Sequence, residues 1–312
     1  VDNEDPRVFR SALESWKNNN PDELIAVIDY ADKACIEEFN KFARTFDKAK
    51  LIITERPGKR PALAAGVKAA SGEIIALVDS DTIWDPISRP AMLAPFADLT
   101  VGGVGTRQDV LETDTLARRI FNIHLDHRYF DEMPFLARAG DAVTCLSGRT
   151  ALYRREAILP VVDEMVAETF RGKQCISGED KCLTRLVQAE GWKARYQMNV
   201  RVRTPGFPNL VNLLQQYTRW MRNSWRSDIK SLSSRWIWRE KFLAFHMMDR
   251  FIQPFTLLLG PIYFIFSIIW GHWLVAGILI VWWHFSRGIK LYPHLKHRPA
   301  DILILPVYIF TT

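Results

Sequence analysis

Cysteine is scarce in this chain: four cysteines occur among 312 residues, and no two of them form a C-x-x-C pair. A disulfide framework is therefore excluded, because such frameworks depend on many cysteines in short secreted domains. A structural zinc site is disfavoured as well, since six residues separate Cys175 from Cys182 and no histidine pair flanks them. The cysteine content favours a reducing compartment.

Two glycine-rich phosphate-binding motifs are also missing, namely G-x-x-x-x-G-K-[ST] and a G-x-G-x-x-G after a first strand. Their absence excludes P-loop and dinucleotide-binding domains. The apolar fraction of 48% and the charged fraction of 24% exclude a disordered or fibrous protein. The length is that of one large domain or two smaller ones.

Charge of either sign is missing from the 36 residues between Arg250 and Arg287. Within this stretch Phe251–Trp270 has about the 20 apolar residues that a membrane span needs, and Trp273–Phe285 continues the run after a short break. We expect two tightly joined spans, and the alternative is one long buried hairpin of a soluble protein. Because both flanks are basic, the positive-inside rule places them in the cytoplasm.

The net charge of +6 is unevenly distributed along the chain. Residues 1–200 have 27 basic and 31 acidic side chains, whereas residues 201–240, here called the basic collar, have 8 and 2. A nucleic-acid partner is disfavoured, since the basic residues of a nucleic-acid-binding protein would spread over a binding face.

The segment Arg235–Arg250 predicts a helix lying in the membrane interface, or else an amphipathic helix of the soluble domain. Its predicted apolar face consists of Trp236, Phe242, Phe245 and Met248.

Short apolar runs alternate with helical patterns over residues 1–110. We predict strands at Glu23–Asp29, Lys50–Thr54 and Glu73–Val78, separated by helices at 33–46 and 61–70. This alternation is typical of an α/β parallel sheet, in which ligands bind beyond the carboxyl ends of the strands. Asp29, Asp79 and Asp81 would then lie at one rim.

Carboxylates and cations near this rim are candidates for nucleotide chemistry. Asp79 and Asp81 form a D-x-D that could hold a divalent cation against a diphosphate, although aspartate is also common in turns. Lys59 and Arg60 open the helix before this strand and could hold phosphate, or they could be solvated turn charges.

Two further groups lie later in the chain. Asp180, in Gly178-Glu179-Asp180, could be a general base for a hydroxyl, or Ser177 could cap the helix that follows. Gln216-x-x-Arg219-Trp220 could offer an arginine for phosphate and a tryptophan for a sugar, or a basic face for lipid headgroups. Arg222 and Arg226 are expected to face lipid in either case.

These motifs, in this order and followed by apolar spans, resemble the processive family 2 glycosyltransferases, which include hyaluronan, chitin and cellulose synthases. Cys145-Leu146-Ser147-Gly148-Arg149 resembles the C-x-S-G segment of hyaluronan synthases, which usually have Pro where Arg149 stands. The usual aromatic-Asn-Glu segment is absent, and residues 2–5 are its expected remnant.

The resemblance implies an α/β fold: a GT-A-type glycosyltransferase domain with a mixed, mainly parallel sheet, followed by interfacial and transmembrane helices. It implies a cytoplasmic GT-A domain over residues 1–205, the Q-x-x-R-W helix with amphipathic interface helices over 206–250, and an incomplete transmembrane region over 251–312. We expect the chain to be part of a longer protein.

The resemblance also assigns a role to each candidate residue. Asp180, next to Glu179, is the expected base, and Asp79 and Asp81 are the expected ligands of Mg²⁺ or Mn²⁺. The expected substrate contacts are Asp29 on the nucleoside; Lys59 and Arg60 on the nucleotide; Cys145, Ser147, Gly148 and Arg149 around the acceptor; and Gln216, Arg219 and Trp220 on the diphosphate and acceptor end.

The implied activity is that of a hyaluronan synthase. Such an enzyme is an integral protein of the plasma membrane that polymerises UDP-GlcNAc and UDP-GlcA with inversion and moves the growing polysaccharide across the lipid bilayer. A chitin-type synthase using UDP-GlcNAc alone and a non-processive membrane glycosyltransferase are the alternatives in the same class. A membrane-anchored sugar-nucleotide-binding protein without catalysis is the alternative from a different class.

Overall fold

The computed structural model describes the backbone of residues 1, 3–87 and 89–311 and the side chains of these residues as far as 308. Asp2, part of the expected motif remnant, lies outside the described residues. The strands are β1 (Leu24–Asp29), β2 (Ala49–Thr54), β3 (Ile74–Val78), β4 (Ile83–Trp84), β5 (Val101–Val110), β6 (Thr150–Arg154), β7 (Thr169–Phe170), β8 (Lys173–Gln174) and β9 (Lys193–Thr204). The three strands expected in the first 110 residues are thus confirmed to within one residue.

Helices alternate with these strands and then dominate the last third of the chain. They are α1 (Pro6–Lys17), α2 (Lys33–Ala43), α3 (Lys59–Ala69), α4 (Arg89–Leu93), α5 (Leu116–His127), α6 (Met133–Gly140), α7 (Arg155–Ile158), α8 (Val162–Ala167), α9 (Glu179–Ala189), α10 (Leu210–Leu232), α11 (Lys241–Ile269), α12 (Trp273–Lys290), α13 (Tyr292–His297) and α14 (Leu305–Thr311). The helix expected to contain Gln216, Arg219 and Trp220 is confirmed as α10.

The sheets are mixed, as expected, but the larger one is not mainly parallel. β1 and β2 form a parallel pair, whereas a five-stranded sheet has the order β3-β6-β5-β9-β4. Within the described residues of that sheet, β5 and β9 are parallel and the other three pairings are antiparallel. The expectation was wrong because the alternating pattern of residues 1–110 contains no information on β6 and β9, which insert between the early strands.

Apolar side chains form two main cores around these sheets. Phe9, Phe39 and Phe42 pack on β1 in the first core, with Phe9 and Phe39 at 0% exposure. The second core surrounds Phe121 and Tyr153 and extends to side chains of the last segment, including Leu291, Ile304 and Leu305. The end of the described chain is therefore packed on the α/β domain and not separate from it.

The expected interface segment Arg235–Arg250 is not a separate helix. A 3-10 turn at Trp236–Arg239 is followed by the first ten residues of α11, which then continues to Ile269. The buried side chains of this segment are Ile237, Leu243, Ala244 and Met247, which form a cluster with Leu136 of α6. Of the predicted apolar face, Trp236 and Phe242 are half-buried against this cluster, whereas Phe245 and Met248 are exposed. The prediction is therefore confirmed for two of its four residues, because the contact with α6 sets the buried face.

The apolar end of the chain forms a helical hairpin of α11 and α12. Gly271 lies in its turn with φ of 73°, a left-handed conformation that glycine adopts without strain. The ring centroids of Phe264 and Trp283 are 5.5 Å apart, which shows that the two helices pack together. By length and composition, α11 is the one helix in the described part of the chain that could cross a membrane. Of the two expected spans, one is therefore supported, and weakly.

Candidate active site

The D-x-D lies directly after β3, as the alternating pattern predicts. Lys59 Nζ, from the first turn of α3, is 2.6 Å from Asp79 Oδ1 and 2.7 Å from Glu179 Oε1. The peptide N–H of Asp79 donates to the carbonyl of Arg149, at 3.3 Å. Three separate motifs, namely the Lys59 helix start, the D-x-D and the Glu179-Asp180 helix start, therefore converge on one point.

The Lys59 side chain remains partly open to solvent, with 42% of its surface exposed. Partial burial opposes its charge, but the carboxylates of Asp79 and Glu179 outweigh this effect and raise the Lys59 pKa above its ordinary value. An accessible ammonium group therefore lies among carboxylates, where it could contact a phosphate.

Other carboxylates lie close to Asp81. Burial, and after it the charge of Asp79, raises the pKa of Asp81, while Arg149 acts in the opposite direction. Ser80 Oγ donates to Glu4 Oε2 at 2.8 Å, which brings a further carboxylate to this rim. This concentration of negative charge and hard oxygen ligands fits a divalent cation.

The donor set for such a cation is small. No group of three or more His, Cys, Asp or Glu side chains arranged to hold a metal is found in the described ranges. Asp79 and Asp81 would supply two oxygens, and phosphate oxygens of a substrate would have to complete the shell, as is common for Mg²⁺.

Asp180 lies in the first turn of α9, which begins after Gly178. The φ of Gly178 is 79°, and a Cβ there would lie 2.9 Å from Cβ of Asn223 in α10, so both conformation and space require glycine. Asp180 Oδ1 accepts from the peptide N–H of Lys181 at 2.7 Å. Burial, and then the charge of Glu179, raises the Asp180 pKa, which makes its ionised form a stronger base.

The alternative that Ser177 caps α9 is wrong. The residue at the N-cap position is Gly178, without a side-chain cap, and Ser177 Oγ instead donates to Asn223 Oδ1 at 3.0 Å. Acidic residues remain in the first turn, where the helix dipole favours them.

The segment from Cys145 to Arg149 passes through the middle of the site. A Cβ on Gly148 would lie 3.2 Å from Lys59 Nζ and 3.6 Å from Asp79 Oδ1, so this glycine lets the chain approach the charged cluster closely. Ser147 Oγ and Arg149 Nη1 both donate to Gln108 Oε1, at 3.4 and 2.9 Å. Burial raises the pKa of the Cys145 thiol, so a thiolate role is disfavoured.

Arg149 connects this segment to the Q-x-x-R-W helix. Its guanidinium lies 5.1 Å from the Phe121 ring and 5.4 Å from the Trp220 ring, an arrangement that fits cation–π attraction. Trp220 also packs on Phe207 and Tyr217 at centroid distances of 5.9 Å. Trp220 therefore packs between Arg149 and an aromatic cluster, whereas Gln216 is half-buried and Arg219 is exposed on the same helix, and the substrate contacts expected for these three residues stay predictions.

Arg60 and Asp29 lie outside the convergence around Lys59. Arg60 is 3% exposed, and its Nη2 donates to Glu168 Oε2 at 2.8 Å and to the Ser177 carbonyl at 3.0 Å. Asp29 ends β1, and its Oδ1 accepts from the peptide N–H of Ala31 at 2.9 Å. The roles expected for both residues on a nucleotide stay predictions.

Some residues of the site were missed by sequence reasoning. Gln108 is 1% exposed and holds both Ser147 and Arg149, but nothing in its local sequence indicates this. Arg226 was expected to face lipid, and that was wrong, since its guanidinium bonds to the Ser177 carbonyl and, at 3.2 Å, to Asn223. Glu4 was found in sequence only as a motif remnant.

Comparisons with known proteins agree with this fold. A family model described as "Glycosyltransferase like family 2" matches residues 3–223. A type 2 glycosyltransferase of Pyricularia oryzae is 29% identical over 96% of this chain, which spans 66% of that relative's length. An N-acetylglucosaminyltransferase of Rhizobium meliloti is 27% identical over 98% of this chain and 75% of its own.

A solved structure shares the architecture. The mannosyltransferase PcManGT from Pyrobaculum calidifontis, solved with GDP-Man and Mn²⁺, superposes with a TM-score of 0.66 at 17% identity, over 100% of this chain and 83% of its own. At this level of identity the likeness supports the expected GT-A-type fold.

Proposed function

Since the chain belongs to the glycosyltransferase-like family 2, we propose that it transfers a sugar from a UDP-sugar to a hydroxyl acceptor with inversion of configuration. The observation that carries this proposal is the contact of Lys59 with both Asp79 and Glu179 across Gly148. It brings the expected donor-binding carboxylates and the expected base into one partly open site.

Each charged group in the site has a task in such a reaction. Asp180 takes the proton of the acceptor hydroxyl as its oxygen forms a bond to C1 of the donor sugar, while the bond from C1 to the diphosphate oxygen breaks and UDP leaves. Lys59 and the nearby Arg149 supply positive charge for the leaving diphosphate. A bound Mg²⁺ or Mn²⁺ would add charge neutralisation at the same oxygens, and Asp79 and Asp81 are the residues that would hold it.

We place UDP-GlcNAc first among the donors. Curated relatives from rhizobia have the name N-acetylglucosaminyltransferase, and a chitin-type reaction needs that donor alone. Hyaluronan synthesis is the second candidate, because Cys145-Leu146-Ser147-Gly148 resembles the corresponding segment of hyaluronan synthases. UDP-GlcA would then be a second donor.

We also propose that α11 and α12 hold the site against the cytoplasmic face of a membrane, such as the plasma membrane. Bulky side chains of the hairpin are open to the surroundings, with Leu274 at 78% and Trp273 at 68% exposure. Such a surface is costly in water and favourable in lipid. Release of a polysaccharide across this membrane is part of the same proposal.

Activity measurements with single and paired donors test the function. Membranes with the chain are incubated with labelled UDP-GlcNAc, UDP-GlcA or both, with Mg²⁺ or Mn²⁺, and the product is digested with chitinase or hyaluronidase. Chitinase-sensitive product from UDP-GlcNAc alone is expected, while a requirement for both donors would favour hyaluronan.

Two variants make the test specific. Asp180→Asn is expected to abolish transfer, whereas Asp47→Asn, at an exposed position, leaves it unchanged. Absence of product with every donor from intact wild-type chain would refute the proposal, and so would full activity of Asp180→Asn.

A further inference from the structure

Arg250 lies in α11, directly before the stretch of 36 uncharged residues, where this helix meets the α/β domain. Its Nη1 donates to Thr144 Oγ1 at 2.8 Å, and its Nη2 donates to Ser224 Oγ at 3.1 Å. The planar guanidinium can hold two such acceptors at once. One half-buried side chain therefore joins α11 to α10, which contains Ser224, and to the residue before the segment Cys145–Arg149.

The Ser224 hydroxyl that Arg250 contacts is also bonded to α9. Lys181 Nζ donates to Ser224 Oγ at 2.6 Å and lies 2.6 Å from Asp228 Oδ1 of α10. The hydroxyl itself donates to Asp228 Oδ2 at 3.5 Å, so both of its lone pairs and its proton are in use. The Lys181 and Asp228 side chains are 6% and 4% exposed. Buried direct bonds therefore connect α11 to α9 through one serine of α10.

Lys181 directly follows the expected base in the first turn of α9. Its peptide N–H donates to Asp180 Oδ1 at 2.7 Å, while its side chain is held by α10. The N–H groups in the first turn of a helix have no partner within the helix, so bonds from outside help to fix that turn. The contacts of Lys181 with α10 therefore also restrain the carboxylate of Asp180.

A second connection runs from α9 to the segment Cys145–Arg149. Thr184 Oγ1 donates to the Asp180 carbonyl at 2.8 Å and accepts from the peptide N–H of Leu146 at 2.9 Å. Thr144, which accepts from Arg250, lies two residues before Leu146. Arg250 is thus linked to the residue that bears the expected base along two routes, one through α10 and one through this segment.

We propose that Arg250 is a positioning residue for Asp180. Its two bonds fix α11 against α9 and against the segment Cys145–Arg149, and they thereby hold the carboxylate where an acceptor hydroxyl must approach. The inference rests on the proposed transferase function. A general base acts only within hydrogen-bond distance of the proton that it removes. Neither bond of Arg250 involves Lys59 or Asp79, so the loss of Arg250 should lower kcat and leave donor binding intact.

Transfer of labelled GlcNAc from UDP-GlcNAc by the full chain in detergent micelles tests this role. Arg250→Gln has no charge and cannot hold both acceptors, so kcat should fall about tenfold, while the KM for the donor changes less than about twofold. Arg250→Lys keeps the charge without the fork and should recover part of kcat. Arg239→Gln, at an exposed position just before α11, is the matched control and should retain the wild-type kcat.

Two variants of Thr144, which is 3% exposed, provide a second test should the Arg250 variants fold poorly. Thr144→Val removes the hydroxyl that accepts from Arg250, and kcat should fall several-fold. Thr144→Ser keeps the hydroxyl and should recover most of kcat, although it loses a buried methyl group. A role in stability alone predicts the reverse for serine, because a lost methyl group lowers the free energy of unfolding.

Hydrogen exchange measured by mass spectrometry separates this inference from the proposed function, because it needs no substrate. In Arg250→Gln, peptides covering residues 178–186 should exchange several-fold faster than in the wild type, whereas β1 and β2 should not change. Faster exchange there, together with a wild-type chain that forms no product from any donor, would refute the transferase function alone. Unchanged exchange, or a wild-type kcat in both Arg250→Gln and Thr144→Val, would overturn the positioning role.

Discussion

Lys59 and Arg60 are neighbours in the chain, yet they belong to two different charge clusters. The open cluster consists of Lys59, Asp79 and Glu179, and the Lys59 side chain is 42% exposed. The closed cluster is centred on Glu168, which is 4% exposed and bonds to Arg60, Arg185 and Lys230 at 2.8, 2.9 and 3.0 Å.

The two clusters differ in whether a charged side chain can be reached by a substrate. In the closed cluster a single carboxylate serves three cations from separate helices, so its contacts hold α3, α9 and α10 together. In the open cluster one ammonium, whose side chain is 42% exposed, serves two carboxylates, of which Asp79 is half-buried and Glu179 is buried. A substrate could reach the partly exposed Lys59 side chain, whereas the side chains of Arg60 and Glu168 are 3% and 4% exposed. We therefore assign stability to Glu168 and chemistry to Lys59.

The largest effect is expected from Glu168→Gln. Removing the carboxylate that Arg60, Arg185 and the half-buried Lys230 share should lower the free energy of unfolding by about 3–5 kcal/mol, because the two guanidinium groups would stay buried without this counter-charge. Denaturant unfolding followed by circular dichroism measures this loss. Glu164→Gln, at an exposed position of helix α8, which ends just before Glu168, should change the free energy of unfolding by less than about 0.5 kcal/mol. A loss below 1 kcal/mol for Glu168→Gln would remove the distinction between the clusters.

Lys59→Met is expected to lower activity strongly and to leave the free energy of unfolding nearly unchanged. Loss of the ammonium group should lower kcat/KM for the donor about 100-fold, because the leaving diphosphate loses a positive charge. The free energy of unfolding should change by no more than about 1 kcal/mol, as for partly exposed ion pairs. Kinetics and unfolding are measured on the same preparation, with Lys68→Met from the exposed face of α3 as the control. Instability with normal activity would reverse the assignment.

Arg149→Lys, close to the open cluster, should have a smaller effect on kcat/KM than Lys59→Met. Lysine keeps the charge but loses the flat guanidinium between Phe121 and Trp220 and its bond to Gln108. Because stacked arginines are not replaced well by lysine, kcat/KM should fall about tenfold with little change in stability. Arg44→Lys, at an exposed position, serves for comparison. An unchanged kcat/KM would show that the stacking has no part in activity.

Lowering the pH should have the smallest effect of the four tests. It distinguishes the two clusters in the wild-type chain, because activity and stability should be lost at different pH values. Burial and then Glu179 raise the Asp180 pKa, so the ionised base is lost at a higher pH than that of an ordinary aspartate, and kcat/KM should fall as the pH is lowered below 7. Burial alone would raise the Glu168 pKa, but Lys230 and Arg60 hold it at about 2.

The stabilising carboxylate of Glu168 is fully present above its unfolded pKa of about 4.3 and is lost only as the pH falls toward 2. Activity should therefore decline while far-UV circular dichroism stays constant. Unfolding that precedes or accompanies the loss of activity would contradict this order.

Local sequence pattern was a good guide wherever neighbouring residues decide the structure. The strand ending at Asp29 and the strand before Asp79 follow from short apolar runs, and a helix follows Gly178 as expected, although Ser177 does not cap it. Sequence pattern did not predict the structure where a residue distant in the chain determines it. The buried face of residues 241–250 depends on α6, and Arg226 bonds to Ser177 from 49 positions away, so neither could be found from periodicity.

The sequence by itself determined the alternation of strands and helices, the D-x-D at a strand end and the uncharged stretch of 36 residues. Each depends on side-chain chemistry at short range, through hydrophobic periodicity, turn composition and the cost of charge in lipid. Only the tertiary structure decided that Lys59 is partly exposed while Arg60 is buried, and that Gln108 supports Arg149. Those outcomes depend on the burial and pairing of charges from distant segments, which no local pattern contains.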